Sequence, residues 1–279
     1  SVKWYSKRNF PHFKLTMNKE IQITGKKIFY RVTGEGNPVM LVHGFGEDGT
    51  VWNNQVDFLK DKFRIIIPDL PGSGKSELIE NSSLEDMAEV LHQIIHEEDI
   101  DHCVMIGHSM GGYITLAFAE MYWNHLSAFG LFHSSAYADS KEKITTRQKG
   151  IEFINEHGAF AFLKTATPNL FSPLTKAENP GLIDKQINSL DNFSPAALVS
   201  YYEAMISRPD RTAILLQATV PVLFIIGKYD NAVPPEDSLQ QCHLPEKSYI
   251  HMLNRSGHMG MLEEPQQSNQ ILEKFLLDI

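Results

Sequence analysis

The feature that most constrains the fold of this chain is a glycine-flanked serine between an apolar run and a helix-like segment. Residues 107–112 read Gly-His-Ser-Met-Gly-Gly, with a buried-strand run at 104–106 before them and a segment rich in Ala, Leu and Met at 113–122 after them. A Cβ on either glycine two positions from the serine would collide with the strand and the helix. The pattern therefore predicts a tight strand-to-helix turn, a nucleophile elbow, that turns Ser109 out of the sheet.

Length and charge limit the classes of protein that this chain can belong to. Its 279 residues fit one large α/β domain or a domain that carries an insertion. A formal net charge of −9, without a dense cluster of Lys and Arg, argues against nucleic acid as a partner. Because no apolar run approaches the roughly 20 residues of a membrane-spanning helix, we expect no membrane span.

The first residues of the chain and its few cysteines indicate the cellular compartment to expect. The segment 1–10 is polar and basic, which predicts no signal peptide, although the chain starts without Met and removal of an upstream segment stays open. The only two cysteines, Cys103 and Cys242, provide no disulfide framework and no zinc site. This usage is typical of a reducing compartment, so we expect a cytoplasmic protein.

Apolar runs alternate with helical patterns along most of the chain. Alternating apolar residues around a turn at 24–26 predict an opening hairpin. Later runs without alternation are typical of strands buried on both faces. Ser82 lies three residues before Glu85, which predicts a capping box at the start of one helix. Beyond the hairpin, the predicted strands are 39–42, 65–67, 104–106, 128–132, 220–226 and 248–253.

The alternation stops after Ser135 and resumes near residue 212. The stretch between is helical in character and is interrupted by prolines, among them Pro168, Pro173, Pro180 and Pro195. We therefore predict a mostly parallel, doubly wound α/β sheet with an inserted helical cap. The predicted core comprises residues 1–135 and 212–279, and the predicted cap comprises residues 136–211.

Three polar residues follow predicted strands in an order that suits nucleophilic catalysis. Ser109 needs a base, and the base needs a group that orients it. His258 follows the last predicted strand, and Asp230 follows the strand before it. Open α/β sheets build their sites beyond the carboxyl ends of the strands. The sequence therefore predicts Ser109, His258 and Asp230 as nucleophile, base and acid.

Each of these assignments has a rival that the sequence leaves open. Ser109 could be an ordinary helix N-cap. Asp139 could supply the acid in place of Asp230. His133 and His108 compete with His258, although we expect His133 to line the pocket or the core and His108 to have a packing role.

Other histidines and glycines are interpreted as structural. His43 is expected to hold its own loop. His92 and His96, four residues apart, lack a third ligand that would suggest a metal. The segment 69–76 ends in Gly-Lys-Ser but has Asp69 where a phosphate-binding loop needs glycine, so we predict no nucleotide site there. No Gly-x-Gly-x-x-Gly follows the first parallel strand, which argues against a dinucleotide-binding domain.

With these motifs in order, the chain resembles the α/β-hydrolase family over residues 28–135 and 212–277. The resemblance rests on the elbow together with the motifs His43-Gly44-Phe45-Gly46, Asp69 to Ser76, Gly227-x-x-Asp230-x-x-Val233-Pro234 and Gly257-His258 followed by Glu263-Glu264-Pro265. It implies that the backbone N–H groups of Phe45 and Met110 form an oxyanion hole. It also implies a serine esterase with a helical cap, since relatives that open epoxides or displace halide carry Asp at the elbow.

We therefore expect hydrolysis of a small-molecule carboxylic ester or related acyl bond, without a metal or organic cofactor. Lactone or carbon–carbon bond hydrolysis could use the same residues. A small-molecule sensor that keeps the triad and signals through a partner is a further alternative. The natural substrate and the oligomeric state stay open. Six cap residues are candidates for an apolar pocket or for the cap's own core: Phe153, Phe160, Phe162, Phe171, Tyr201 and Met205.

Overall fold

One eight-stranded sheet organises the structure, a computed structural model that describes residues 16–279. The six apolar runs expected to be strands beyond the hairpin are strands, and each end agrees with the prediction to within two residues. The strands are β1 (Met17–Ile23), β2 (Lys26–Thr33), β3 (Pro38–Val42), β4 (Arg64–Pro68), β5 (Cys103–His108), β6 (Leu126–Phe132), β7 (Val222–Gly227) and β8 (Ser248–Leu253).

The sheet is antiparallel at one edge and parallel elsewhere. Its order is β1-β2-β4-β3-β5-β6-β7-β8, and β2 runs antiparallel to both β1 and β4. All other neighbours are parallel, so the carboxyl ends of β3 to β8 meet at one edge of the sheet. That edge is where an open α/β sheet binds ligands. The predicted mostly parallel fold is confirmed.

Helices cover both faces of the sheet. Helices α2 and α3 pack on one face, and α1 and α12 pack on the other. The helices are α1 (Asn53–Leu59), α2 (Leu84–Glu97), α3 (Met110–Tyr122), α4 (Lys141–His157), α5 (Ala159–Ala166), α6 (Pro173–Glu178), α7 (Pro180–Asn188), α8 (Pro195–Ser207), α9 (Thr212–Leu216), α10 (Pro235–Leu239), α11 (Gly260–Glu263) and α12 (Pro265–Asp278).

Strand β3 shows why the apolar runs lack alternation. Val39 and Leu41 lie in the hydrophobic cluster shared with α1 and α12, whereas Met40 and Val42 lie in the cluster shared with α2 and α3. All four side chains are fully buried. Successive strand residues point to opposite faces. A strand covered by helices on both faces therefore needs apolar residues at every position.

Six helices, α4 to α9, lie between β6 and β7, and we call residues 136–211, which contain α4 to α8, the helical segment. It is bound to the loop after β4 by Tyr201 on α8, whose hydroxyl donates to the Pro71 carbonyl oxygen (2.6 Å) and accepts from the Ser73 hydroxyl (2.7 Å). A Cβ on Gly72 would lie 2.9 Å from the Ala197 Cβ, so the loop and α8 are in close contact.

The capping box of α2 lies one residue later than predicted, so the assignment to Ser82 and Glu85 is wrong. Ser83 is the N-cap, and its side chain exchanges hydrogen bonds with Asp86. Ser82 donates to the Ile79 carbonyl oxygen instead. Glu85 pairs with Arg211, a buried residue from the end of the helical segment. A contact across 126 residues therefore decides the role of Glu85.

Within residues 16–279, no helix combines the length and the apolar content needed to cross a bilayer. Cys103 and Cys242 are both buried free thiols, and burial raises the pKa of the Cys242 thiol to about 11. The segment 1–10, for which we predict no signal peptide, lies outside the described residues.

Candidate active site

Ser109 occupies a strained turn between β5 and α3. Its backbone has φ 52° and ψ −117°, and its N–H donates to the Phe132 carbonyl oxygen on β6 (3.0 Å). A Cβ on Gly107 would lie 2.2 Å from the Gly111 carbonyl oxygen, and one on Gly111 would lie 2.4 Å from the Val42 carbonyl oxygen. Such strain persists only where the surroundings impose it. The close approach inferred for the two glycines is therefore present.

The rival interpretation of Ser109 as an ordinary N-cap does not hold. Among the described residues, its hydroxyl makes no capping hydrogen bond to α3. Its backbone oxygen accepts from the Ser134 hydroxyl (2.7 Å). The side chain is partly exposed and faces a cavity of about 480 Å³.

His258 and Asp230 form a buried hydrogen-bonded pair. His258 Nδ1 lies 2.8 Å from Asp230 Oδ2, and the backbone N–H groups of Ala232 and Val233 each donate to Asp230 Oδ1 at 2.9 Å. Burial alone would raise the pKa of Asp230, but the charge and hydrogen bond of His258 keep that pKa below its ordinary value. Asp230 is therefore a carboxylate that receives the Nδ1 proton of His258. His258 lines the same cavity as Ser109.

Asp139, the rival acid, is held elsewhere. Its carboxylate accepts from Arg147 Nε (2.6 Å) and pairs with Arg208 Nη1 (2.8 Å). Burial would raise the pKa of Asp139, but these two guanidiniums hold that pKa below its usual value. The carboxylate that contacts His258 is that of Asp230.

His133 lies beneath the pair rather than in the cavity wall. Its Nε2 accepts from the Gly260 N–H (3.1 Å), so Nδ1 carries the proton of the neutral ring and lies 3.5 Å from Asp230 Oδ2. Burial lowers the pKa of His133 well below its usual value, even though the Asp230 carboxylate opposes that shift. His133 is therefore a neutral group next to Asp230.

His108 joins the elbow to two other loops. Its Nδ1 lies 2.9 Å from Glu47 Oε2 and its Nε2 lies 2.8 Å from the His258 carbonyl oxygen. Burial would lower the pKa of His108, but the charge and hydrogen bond of Glu47 raise it, and those of His108 hold the Glu47 pKa below its ordinary value. Since both neighbours of the ring are acceptors, His108 is an imidazolium that donates at both nitrogens. We expected only a packing role for His108, but both of its ring nitrogens also make hydrogen bonds.

Glu47 also shapes the loop after β3. Its Oε2 accepts from the Gly44 N–H at 2.7 Å. In the same loop, His43 Nε2 accepts from the Leu70 N–H and Nδ1 donates to the Gly44 carbonyl oxygen, each at 2.9 Å. The loop-holding role expected for His43 is present. Glu47, by contrast, belongs to none of the recognised motifs, so its role was not predicted from the sequence.

The resemblance assigns an oxyanion hole to the N–H groups of Phe45, which lines the same cavity as Ser109, and of Met110, the next residue in the chain. Phe45 is part of the cavity wall, and its ring stacks on Tyr202 with centroids 4.3 Å apart. Met110 follows Ser109 as the first residue of α3, and its side chain is fully buried.

A second acidic residue, Glu263, sets the loop that carries His258. Its Oε1 accepts from the Gly257 N–H (2.8 Å) and its Oε2 accepts from the Ser172 N–H (2.8 Å) and the Thr175 hydroxyl (2.7 Å). The His258 N–H donates to the Leu170 carbonyl oxygen (2.7 Å). The loop of His258 is therefore held by residues of the helical segment.

The cavity lies between the strand-end loops and the helices α4 and α8. Of the six residues that the sequence left open between an apolar pocket and the cap's own core, only Met205 lines this cavity. Phe171 and Tyr201 are buried elsewhere, and Phe153 and Phe160 are partly exposed. The helical segment instead contributes mainly polar and charged residues, namely Ser140, Glu142, Lys143, Thr146, Arg147, Leu170, Tyr202 and Met205.

The two motifs that we interpreted as structural have clear partners. Asp69 accepts from the Gly49 N–H and the Lys75 N–H, both at 2.9 Å, so its carboxylate binds one amide of the 69–76 loop and one of the turn before α1. The His92 ring stacks on Tyr122 with centroids 4.0 Å apart. Across residues 16–279, no three or more His, Cys, Asp or Glu side chains are grouped as metal ligands.

Comparison with known proteins identifies the family. The sequence model of the alpha/beta hydrolase family matches residues 39–271, most of the chain. Among curated proteins, 3-oxoadipate enol-lactonase 1 of Acinetobacter baylyi is 26% identical over 91% of this chain and 95% of its own length. The pimeloyl-[acyl-carrier protein] methyl ester esterase of Vibrio cholerae is 26% identical over 89% of this chain and 97% of its own length.

Solved structures agree with this result. A thermophilic esterase from Thermogutta terrifontis, solved with malate bound, superposes with a TM-score of 0.88 at 30% identity, over 94% of this chain and 98% of that one. The enol-lactonase from Burkholderia xenovorans superposes with a TM-score of 0.86 over 93% of this chain and all of that one, but at 21% identity it supports the fold alone. The elbow, the parallel sheet and these matches agree in showing that the chain is an enzyme of the alpha/beta hydrolase family.

Proposed function

We propose that this enzyme hydrolyses a carboxylic ester or a related acyl bond of a small molecule through Ser109, His258 and Asp230. The observation that carries the proposal is the buried Asp230–His258 pair, with its 2.8 Å hydrogen bond, at the same cavity as the strained and partly exposed Ser109. A serine hydroxyl becomes a useful nucleophile when a base takes its proton as it attacks.

In the first half-reaction, Ser109 Oγ attacks the substrate carbonyl carbon and His258 Nε2 takes the hydroxyl proton. Asp230 accepts from Nδ1, which leaves Nε2 free to act as the base, and it stabilises the imidazolium that forms. The tetrahedral intermediate collapses to an acyl-enzyme as His258 returns the proton to the departing alkoxide. The alcohol leaves, and the acyl group stays on Ser109.

The second half-reaction repeats the sequence with water. His258 takes a proton from water, the hydroxide adds to the acyl carbon, and the carboxylic acid leaves as Ser109 regains its proton. The N–H groups of Phe45 and Met110 are proposed to bind the oxyanion in both halves. Each donor in such a site contributes about 3–4 kcal/mol to transition-state stabilisation.

The helical segment is proposed to act as a cap that shapes the substrate site. Helices α4 and α8 contribute to the cavity wall, and Leu170 and Glu263 bind the segment to the loop of His258. The two buried thiols are compatible with the predicted cytoplasmic location, which stays a prediction.

Lactone hydrolysis is a second candidate function. The full-length similarity to an enol-lactonase favours it. A lactone is an internal ester, so the same steps open the ring, and the alkoxide leaves as part of the acyl group. Comparing a simple lactone with a matched open ester tests this candidate.

The experiment that tests the proposal combines active-site labelling with an ester series. A fluorophosphonate should label the wild-type protein and the Ser127→Ala variant, which removes an exposed serine of β6, but not the Ser109→Ala variant. Turnover of p-nitrophenyl esters from acetate to long acyl chains should fall by about 10⁶ in Ser109→Ala. Persistent labelling or turnover in that variant would contradict the mechanism. Very slow wild-type turnover of every ester, with ligand-dependent binding of a partner, would favour the sensor.

A further inference from the structure

A buried cluster beside the cavity carries more positive than negative charge. The Asp139 side chain is fully buried and pairs with two guanidiniums, Arg147 and Arg208, whose side chains are 17% and 4% exposed. One carboxylate and two guanidiniums leave a net charge of +1. An excess charge removed from water is costly unless an anion compensates it. The cluster therefore has the charge of an incomplete anion site.

Arg147 is the member of the cluster that reaches the cavity. It lines the cavity together with Ser109 and His258, whereas Arg208 does not. Arg208 is committed to backbone oxygens, because its Nε donates to Tyr137 (3.2 Å) and its Nη1 to Met205 (2.9 Å). Arg147 thus provides the cationic face of the cluster on the substrate side.

The Arg147 guanidinium has donors left over. Asp139 engages it side-on, through Nε at 2.6 Å and Nη2 at 3.3 Å. No hydrogen bond within residues 16–279 uses Nη1. A guanidinium has five N–H donors, so the edge formed by Nη1 and the second Nη2 proton is available for a bidentate oxyanion.

Aromatic rings connect this guanidinium to the proposed reacting end of the cavity. The Arg147 guanidinium carbon lies 5.4 Å from the centre of the Tyr202 ring, a cation–π contact, and Tyr202 stacks on Phe45. Burial raises the pKa of Tyr202 to about 12, although the Arg147 charge opposes that shift, so its hydroxyl stays neutral. Arg147 and the proposed oxyanion loop therefore share one continuous wall.

The other charges at this wall add to the positive field. Lys143, one turn before Arg147 on α4, also lines the cavity, and its nearest acidic partner, Asp237, is 4.0 Å away. Residues 141–149 contain four cationic side chains and one acidic one, on a chain whose net charge is −9. Two acidic residues line the cavity, of which Glu47 pairs with His108 and Glu142 is an exposed residue of α4. Local positive charge of this kind attracts anionic ligands.

We infer that the substrate carries a carboxylate, bound by the free edge of Arg147, in addition to the acyl bond cleaved at Ser109. This inference rests on the proposed function and names its substrate class: monoesters of dicarboxylic acids, or esters of hydroxy acids. Hydrolysis of a dicarboxylic monoester consumes one water and yields a dicarboxylate, an alcohol and a proton.

The decisive measurement compares two esters within each variant. One pair differs on the acyl side, p-nitrophenyl hydrogen glutarate and p-nitrophenyl valerate. The other differs on the alcohol side, acetoxyacetate and ethyl acetate. In at least one pair, kcat/KM should favour the anionic ester about 10- to 100-fold, as expected for a charge-assisted contact. Arg147→Met should remove that preference, because kcat/KM should fall about 10- to 100-fold more for the anionic ester than for its neutral partner.

Matched variants separate this role from a general effect of charge or folding. Lys149→Met removes one cation from the same helix at an exposed position outside the cavity wall, and should change the ratio by less than about twofold. Arg147→Lys keeps the positive charge but loses the planar edge that can bind both oxygens of a carboxylate. Its preference for the anionic ester should therefore lie between those of the wild type and Arg147→Met. A folding defect in Arg147→Met would lower kcat/KM equally for both esters of a pair. A ratio that stays at the wild-type value would show that the anionic preference does not depend on Arg147, and would overturn the inference. So would a wild-type ratio near one in both pairs.

A binding measurement makes the test independent of turnover. In Ser109→Ala, glutarate should bind more weakly by about 10-fold or more when Arg147→Met is added, as titration calorimetry measures. If fluorophosphonate labelling and ester turnover are both absent, the proposed function is wrong. The glutarate affinities still show whether Arg147 binds a carboxylate. If turnover is present but glutarate binding does not depend on Arg147, only the anion site fails.

Discussion

The Nε2 atom of His108 lies 2.8 Å from the backbone oxygen of His258, so the residue before the proposed nucleophile holds the residue proposed as its base. The 150 residues between them are bridged by one imidazolium, which Glu47 binds on its other side. Three loops at the carboxyl edge of the sheet therefore share one ion pair. Four predictions follow from contacts of this kind.

Removing the Glu47 carboxylate should leave the positive charge of the buried His108 ring without its partner. We expect Glu47→Gln to lower the free energy of unfolding by about 3 kcal/mol, because breaking one partner of a buried pair leaves the other uncompensated. It should also lower kcat, since a neutral His108 holds the His258 carbonyl oxygen by a weaker hydrogen bond without charge assistance. Denaturant unfolding and steady-state kinetics measure the two effects. Glu97→Gln, at an exposed position, is the control and should change neither.

Asp230 and Asp139 can be distinguished by a paired substitution. Asp230→Asn should lower kcat by about 10⁴ with little change in KM, because an amide at this position favours the wrong tautomer of His258. Asp139→Asn should lower kcat on a neutral ester by less than about 10-fold, since Asp139 contacts arginines and not His258. The reverse ranking would make Asp139 the acid.

His133 should make the protein less stable as the pH falls. Burial lowers the pKa of His133 in the folded protein well below 6.5, while Asp230 opposes that shift and the neighbouring rings of His258 and His108 add to it. Below pH 6.5 the unfolded chain therefore binds a proton that the folded protein excludes. The stability contribution of neutral His133 is fully present above pH 6.5 and is lost as the pH falls.

This contribution has a slope of about 1.4 kcal/mol per pH unit. Urea unfolding between pH 5 and 7 should show a shallower pH dependence in His133→Gln, whose side-chain oxygen can still accept from the Gly260 N–H. His157→Gln, at an exposed position, should keep the wild-type slope. Equal slopes in the wild type and His133→Gln would show that His133 titrates normally in the folded protein.

Two glycine substitutions should have opposite effects. Gly107→Ala places a Cβ 2.2 Å from the Gly111 carbonyl oxygen, so backbone must move, and we expect a loss of about 3 kcal/mol or more in the free energy of unfolding. Gly181→Ala on α7 meets nothing within 4 Å and should be neutral or stabilising by up to about 1 kcal/mol. Thermal unfolding of the two variants compares them directly. A stable Gly107→Ala variant would disprove the packing argument for the elbow.

Local patterns predicted most of the fold and named Ser109, His258 and Asp230, whose catalytic roles stay a prediction. The central strands β3 to β7 are almost entirely buried, so their apolar runs were visible without knowledge of the partners. The turn at Ser109 was visible because its glycines are needed for close backbone approach. The Asp230–His258 contact followed from the order of the strands, since each residue comes directly after a parallel strand.

The missed features depend on contacts between segments far apart in the sequence. Glu47 and His108 are 61 residues apart, and neither stands in a spacing that signals the other. Glu85 left the expected capping box because Arg211 reaches it from the end of the helical segment. The polar lining of the cavity was missed because α4 turns Arg147 inward to Asp139, a contact that the helical pattern alone does not encode.

The hydrogen bond from the His258 N–H to the Leu170 carbonyl oxygen has a consequence for engineering. The peptide of the proposed base is anchored by the helical segment, and Glu263 ties the same two regions together. A chimaera that replaces 136–211 with the equivalent stretch of a relative would exchange part of the catalytic framework along with the substrate site. Such a graft can keep its activity only if the donor stretch restores an acceptor where Leu170 stood.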